Sequence, residues 1–322
     1  MAEVTKASLN TVPRVAFTHL HALLFLLVLE WVVFGIALPG YLTPAGLLDT
    51  TRTFVGSGLL ALGMTFVIIS GGIDLSIASL FALVSVVVGL TFRSGLPIGV
   101  AMLLGVFVGI AGGLLNGMAI ALLRLHPLVV TLATMALYRG FAYAISNAEA
   151  VSRFPVEFTN IGQLYIGGLV PVQLLVFIAF AVAMWLLLTR SRFGRYVYGI
   201  GANETAVRFS AVSVVRTKLA IYGLMGFLAA LAAIIETARV STARANAGVG
   251  LELLVIAMVV LGGTKITGGS GNLIGTVLGV LVLAYLQDGL EYAGVRNDWG
   301  LIIVGVFLIA GVIAQRRGRK DD

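Results

Sequence analysis

Covalent chemistry has few footholds in this 322-residue chain, which carries three histidines and no cysteine. His19, His21 and His126 stand at no ligand spacing of the HExxH kind, and without cysteine there is no thiolate metal site, disulfide or cysteine nucleophile. No Ser/His/Asp constellation is apparent, so we assign no catalytic and no metal-binding residue. The glycine-dense run Leu261-Gly262-Gly263-Thr264-Lys265-Ile266-Thr267-Gly268-Gly269-Ser270-Gly271-Asn272 invites a phosphate-loop reading. That reading fails on spacing, because GxxxxGK[ST] occurs nowhere in the chain. The remaining chemistry lies in polar groups within apolar stretches: Glu30, Asn116, Thr131, Thr134, Tyr138, Arg139, Glu236, Glu252, Tyr285, Gln287 and Asp288. Ionisable groups in such places are functional candidates by default, with an interhelical hydrogen bond as the bland alternative. Asp74, in Ser70-Gly71-Gly72-Ile73-Asp74-Leu75-Ser76, is another. The glycines permit a tight reversal, and Asp74 or Ser76 can cap the helix that follows. An acid held there is costly unless paired or hydrated.

The elements that must position these groups belong to a membrane. The chain is 59% hydrophobic and 11% charged, with a mean hydropathy of +1.06. Soluble domains carry about 25% charged residues. Forty glycines against seven prolines fit helices whose backbones approach closely. A net charge of +7 raises the question of nucleic acid. No aromatic-studded basic groove accompanies it, so we expect no nucleic-acid partner.

Spans of about 20 apolar residues cross a bilayer. Ten such segments are expected, at residues 20–38, 54–71, 75–92, 97–123, 127–146, 171–189, 217–237, 252–264, 272–290 and 298–315. The fold class is therefore all-α and polytopic. Residues 1–19 form an N-terminal segment, 20–315 the membrane domain, and 316–322 a basic tail. With the N-terminus inside, fourteen of the 21 lysines and arginines fall on the cytoplasmic side. This bias places both termini in the cytoplasm. Ten spans divide into five and five, and an odd number per half inverts the second half relative to the first. No sequence identity between the halves supports this repeat, which is a geometric expectation only.

Residues 190–218 make a long basic segment between spans six and seven. Asn203 is a good N-cap, and Glu204 follows in the first turn, where a helix dipole favours it. Ala206, Val207, Ser210 and Ala211 give a small-residue face, with Arg208 and Phe209 beside it. A short helix presenting an apolar knob with charged flanks is expected, either docked on a partner or lying on lipid.

At these residues the chain resembles the permease subunits of bacterial ABC importers. The nearest group is the ribose-like monosaccharide branch of the family shared with branched-chain amino-acid permeases. The carriers are SGGIDLSIASLFAL (70–83), RSRFGRYVYGIGANETAVRFSAV (190–212), STARANAGVGLEL (241–253) and VVLGGTKITGGSGNLIGTVLG (259–279), in one order along about residues 54–312. The chain departs from the family pattern at Leu254, often acidic, at Phe209, often Leu, and at Ala211, often Gly.

The resemblance implies a multi-pass protein of the bacterial inner membrane that performs no catalysis and holds no cofactor. ATP and magnesium would be bound by a separate ATPase with two nucleotide sites. A second permease protomer, identical or paralogous, and a periplasmic or extracellular sugar-binding protein complete the assembly. A coupling helix would dock into the ATPase through Asn203, Glu204, Ala206, Val207, Arg208, Phe209 and Ser210. Sugar hydroxyls both donate and accept, so a pathway wants amides and hydroxyls. Asn116 and Gln287 are the first choices for its lining, with Asp74 a third. Arg52, Arg153, Arg239 and Arg244 are candidates to pair with acids on the binding protein, since the guanidinium fork suits carboxylates. The rival reading is a transporter driven by an ion gradient, which needs a deep carboxylate such as Asp288 or Glu236.

Overall fold

The computed structural model describes residues 14–210, 212–296, 299, 300, 302, 303, 305–307 and 309. The expected N-terminal segment, the tenth span and the basic tail therefore lie wholly or partly outside the described residues. Eleven helices are described: α1 (Arg14–Ala37), α2 (Pro44–Ile69), α3 (Ile77–Arg93), α4 (Ile98–Ala121), α5 (Pro127–Ser146), α6 (Val156–Gln163), α7 (Val172–Arg190), α8 (Arg192–Phe209), α9 (Val214–Val240), α10 (Leu251–Leu261) and α11 (Leu273–Tyr292). Two strand pairs accompany them. Antiparallel β1 (Val151–Ser152) and β4 (Thr242–Ala243) pair Val151 with Ala243. Antiparallel β2 (Tyr165–Ile166) and β3 (Val170–Pro171) pair Tyr165 with Pro171.

Seven of the helices, α1, α2, α4, α5, α7, α9 and α11, are long and apolar enough to cross a membrane, whereas α3 and α10 are shorter. The chain is thus an all-α polytopic membrane protein. Local chemistry moves several boundaries. α2 starts ten residues before its expected apolar run, because Thr43 caps it by accepting the Gly46 N–H at 3.1 Å and Pro44 presets its first turn. α9 likewise starts early, on the Ser213 hydroxyl that accepts the Arg216 N–H at 3.3 Å. The stretch 190–218 is mostly helical rather than looped, since α8 runs almost unbroken from the end of α7. Its first part carries three glycines among aromatic and β-branched residues, a composition that gives little helix signal.

α2 is the axis of the bundle. Of its most apolar window 89% is buried, against 17% for α1 and 22% for α5 and α7. α9, α11, α10 and α7 surround it. The outer helices α1, α4, α5 and α7 turn large apolar side chains outward, among them Phe25, Leu103 and Phe107, as lipid contact requires. Hydroxyl pairs stitch the interior: Thr65 meets Thr276 at 2.8 Å, and Ser85 meets Thr237 at 2.7 Å. α4 and α9 touch through backbone. A Cβ on Gly113 would sit 2.1 Å from the Tyr222 carbonyl oxygen, and one on Gly226 would sit 2.1 Å from that of Gly109. Small residues at this crossing let dispersion forces act between main chains where lipid offers no hydrophobic drive.

Gly113→Val should therefore lower the thermal midpoint of the purified protein in detergent, since overpacking costs about 1–3 kcal/mol. Gly140→Ala, where an added methyl meets nothing within 4 Å, should leave the midpoint unchanged or slightly higher. Equal midpoints for the two variants would refute the close crossing.

Candidate functional site: a backbone junction and a polar cavity

α8 is two helices end to end. Its first part starts at Ser191, whose hydroxyl accepts the Gly194 N–H at 3.1 Å. The Phe193 ring stacks on Phe66 of α2 at 6.1 Å. Tyr198 donates to the Gly271 carbonyl at 2.8 Å. The chain then kinks at Asn203, whose φ of −160° and ψ of 94° are non-helical. The Asn203 side chain accepts the Ala206 N–H at 2.9 Å and so caps the second part.

Just before the kink, three segments meet main chain to main chain. A Cβ on Gly201 would lie 1.7 Å from the Ile69 carbonyl oxygen and 2.5 Å from the Gly269 nitrogen. That nitrogen donates to the same Ile69 oxygen at 2.8 Å. A Cβ on Gly268 would lie 2.9 Å from the Cα of Gly71. The end of α2, the first part of α8 and the glycine run between α10 and α11 are thereby locked together. The glycines that failed as a phosphate loop serve this contact: no side chain of any kind fits between the three strands of backbone.

Beyond the kink, residues 203–210 project from the junction. The Phe209 side chain is 90% exposed, and Asn203, Ala206, Arg208 and Ser210 are exposed with it. Val207 instead turns back toward Gly199, where an added Cβ would lie 3.2 Å from its Cγ2. Glu204 holds the segment to α9: it accepts Lys218 Nζ at 2.7 Å, and also Arg208 Nη2 at 2.6 Å. Burial alone would raise its pKa, but the hydrogen bonds from Lys218 and Arg208 outweigh this and hold the carboxyl below its ordinary range.

Asp74 and Asn116 are brought together in a buried knot around Ser76. Asp74 Oδ1 accepts the Ser76 N–H at 2.9 Å and the Ser76 hydroxyl at 2.6 Å. Asn116 Nδ2 donates to the Ser76 hydroxyl at 2.8 Å. Tyr138 donates to the Gly112 carbonyl at 2.8 Å, and Thr131 to that of Ile73 at 3.1 Å. Asp74, Ser76, Asn116, Thr131 and Tyr138 are all buried. This closed knot pins the turn after α2 to α4 and α5.

Gln287 lies elsewhere, on a cavity of about 640 Å³. α2, α3, α9, α10, α11 and the connection 241–250 wall it. Phe54, Phe81 and Met258 supply apolar surface, and Ser57, Thr237 and Gln287 supply hydroxyl and amide groups. Asp288 and Glu236 also line it, yet both already have partners. Thr50 donates to Asp288 at 2.8 Å, and Arg239 pairs with Glu236 at 2.7 Å.

The four docking arginines divide in the same way. Arg52 is held by Asp49 at 3.1 Å and by the hydroxyl of Tyr165, whose ring lies 5.0 Å beneath its guanidinium. Arg239 is engaged by Glu236, whereas Arg153 and Arg244 are exposed, and Arg244 lines the cavity. Sequence reasoning missed the cavity itself. Its walls come from five helices distant in the chain, and no local pattern announces them.

A family model described as the branched-chain amino acid transport system / permease component matches residues 46–312. Among similar proteins is the autoinducer 2 import system permease protein LsrD of Escherichia coli O9:H4 (strain HS), of Escherichia coli (strain K12) and of Shigella flexneri. Each is 38% identical over 300 residues, covering 91% of this chain and 91% of the relative. No solved structure gives a significant match.

Glu204→Gln and Lys218→Met should each speed amide hydrogen exchange at residues 204–209 by about twofold to fivefold, as befits a partly exposed pair worth ~0.2–1 kcal/mol. The double variant should be no worse than either single one. Because the folded carboxyl of Glu204 is depressed, protection should be full above the ordinary carboxylate pKa and fade as pH falls through the lower folded value. Protection insensitive to acid would remove the pair from any role in holding the segment.

Proposed function

The chain belongs to the permease family described as the branched-chain amino acid transport system / permease component; it is a membrane subunit of an ABC importer and not an enzyme, and we propose that a separate ATPase drives it through residues 203–210. The observation that carries this reading is Phe209, an apolar side chain 90% exposed at the tip of a segment rooted in rigid backbone. An aromatic knob flanked by Arg208 suits the centre of a protein interface. On this reading that end of the bundle is cytoplasmic, as are both termini, and the cavity end faces outward. The bound partners are then a second permease protomer and a solute-binding protein, which Arg153 and Arg244 are placed to meet.

We further propose ten crossing segments in two inverted halves of five. The short helices support this. α3 and α10 are the third and eighth apolar segments, so they hold corresponding places in the two halves. Eleven residues of α10 rise only about 16 Å, roughly half the hydrocarbon thickness. Paired short helices at a repeat interface are where transporters build their solute sites, and both α3 and α10 line the cavity. The solute is then a small polyhydroxylated molecule, with autoinducer 2, named in the similar proteins, as the first cargo to test and a monosaccharide as the second.

In proteoliposomes carrying permease, ATPase and binding protein, uptake should require ATP and survive an ionophore. Phe209→Asp should weaken ATPase docking by about 30-fold, the effect of losing a hot spot worth ~2 kcal/mol. Uptake should collapse while the protein still inserts. Uptake driven by an ion gradient in the permease alone would overturn the reading in favour of a secondary transporter.

A further inference from the structure

Arg139 is an arginine in the second half of a membrane helix, α5, and such a charge needs a partner. The structure gives it two carbonyls. Nη1 donates to the Ala245 oxygen at 2.6 Å and to the Ala247 oxygen at 2.9 Å. Both carbonyls belong to the connection between β4 and α10, whose residues Arg244, Ala247, Gly248, Val249 and Gly250 form one wall of the cavity. Its own backbone bonds are local, from the Ala247 N–H to the Arg244 carbonyl at 3.1 Å and from the Leu251 N–H to that of Gly248 at 3.0 Å. Gly248 and Gly250 take positive φ, +71° and +88°, and Val249 between them is 70% exposed.

Carbonyl oxygens are neutral, so they solvate the guanidinium without balancing its charge. The acid that could balance it is Glu252, in the first turn of α10 and five residues beyond Ala247, whose carbonyl Arg139 already holds. Its Oε2 is shielded from solvent and has no hydrogen-bond partner. A cation held by carbonyls therefore stands near a carboxylate oxygen with an open valence. Moving the guanidinium from the first to the second exchanges neutral acceptors for an ionised one, which forms the stronger hydrogen bond. Both carbonyl bonds are made by Nη1, so turning that nitrogen to the carboxylate releases the wall.

We propose that Arg139 is a positioning residue for solute passage, working as a clamp with two seats. On the Ala245 and Ala247 carbonyls it holds the cavity wall shut; on Glu252 it frees the segment 244–250 to swing. The clamp rests on the reading of the cavity as the solute chamber, and the test separates the two.

The natural absence of cysteine makes a single-cysteine probe unambiguous. Ser57→Cys places a thiol on the cavity lining, and its rate of reaction with a charged maleimide in the assembled importer reports how open the wall stands. Arg139→Gln should raise that rate at least fivefold. Glu252→Gln, nearly isosteric and folded, removes the second seat and should lower the rate at least threefold. It should also cut maximal uptake severalfold at an unchanged half-saturation, whereas Arg139→Lys should recover part of the uptake lost in Arg139→Gln. A fixed structural staple would move with Arg139→Gln alone; an unchanged labelling rate in Glu252→Gln therefore overturns the clamp. Gln287→Ala tests the chamber separately: it should raise the half-saturation for solute without altering labelling. If it leaves uptake untouched while both clamp variants shift labelling as stated, the chamber reading falls and the clamp stands.

Discussion

The contact on which the rest depends is made without side chains. Where Gly201 meets the Ile69 carbonyl and the Gly269 amide, three segments distant in sequence share van der Waals surface through their main chains. A side-chain interface absorbs small displacements by changing rotamers, whereas backbone in contact with backbone has no such reserve. Close-packed interiors transmit strain for the same reason. A force applied at the exposed tip near Phe209 therefore reaches the end of α2 and the α10–α11 connection together. The first belongs to the axis of the bundle, and the second joins α10 to α11, both of which line the cavity, an arrangement that suits a subunit converting a push at one face into an opening at the other.

The buried polar groups divide the labour. The knot of Asp74, Ser76, Asn116, Thr131 and Tyr138 bonds its polar groups to one another and to nearby backbone, so it fixes geometry next to the junction. The cavity combines aromatic and aliphatic surface with hydroxyl and amide groups, a lining that suits a small polar molecule. Its two deep carboxylates are taken, Asp288 by Thr50 and Glu236 by Arg239. That occupancy argues against the gradient-driven alternative, which needs a carboxylate available to an ion.

Much of the candidate site was legible from residue types. Asn203 reads as a helix cap because its short amide side chain reaches the N–H three residues on, and it does so here. The pattern around Phe209 reads as a knob because the one aromatic ring of the short segment stands between Arg208 and Ser210. The helical course of residues 192–202 was not legible, since three glycines among aromatic and β-branched residues give it poor helix propensity. Nor were the short helix α6 and the β1–β4 pair, whose partners lie far along the chain, nor the small β2–β3 hairpin that closes locally through Gly167 and Gly168. Lys218 as the partner of Glu204 was equally hidden: fourteen residues separate them, and only the turn between α8 and α9 brings them together.

By itself, the sequence determined the solvent and the elements. Long apolar runs with few charges must be helices in a bilayer, because unpaired backbone cannot exist there, and the ordered motifs identified the family. Only the tertiary structure decided which polar residues share a site. Asp74 and Asn116 meet around Ser76; Gln287 lines a separate cavity; and Arg139 finds its carbonyls more than a hundred residues away. The reason is physical. Helix formation is governed by neighbours within a few residues, but the partner of a buried polar group is chosen by how whole helices pack.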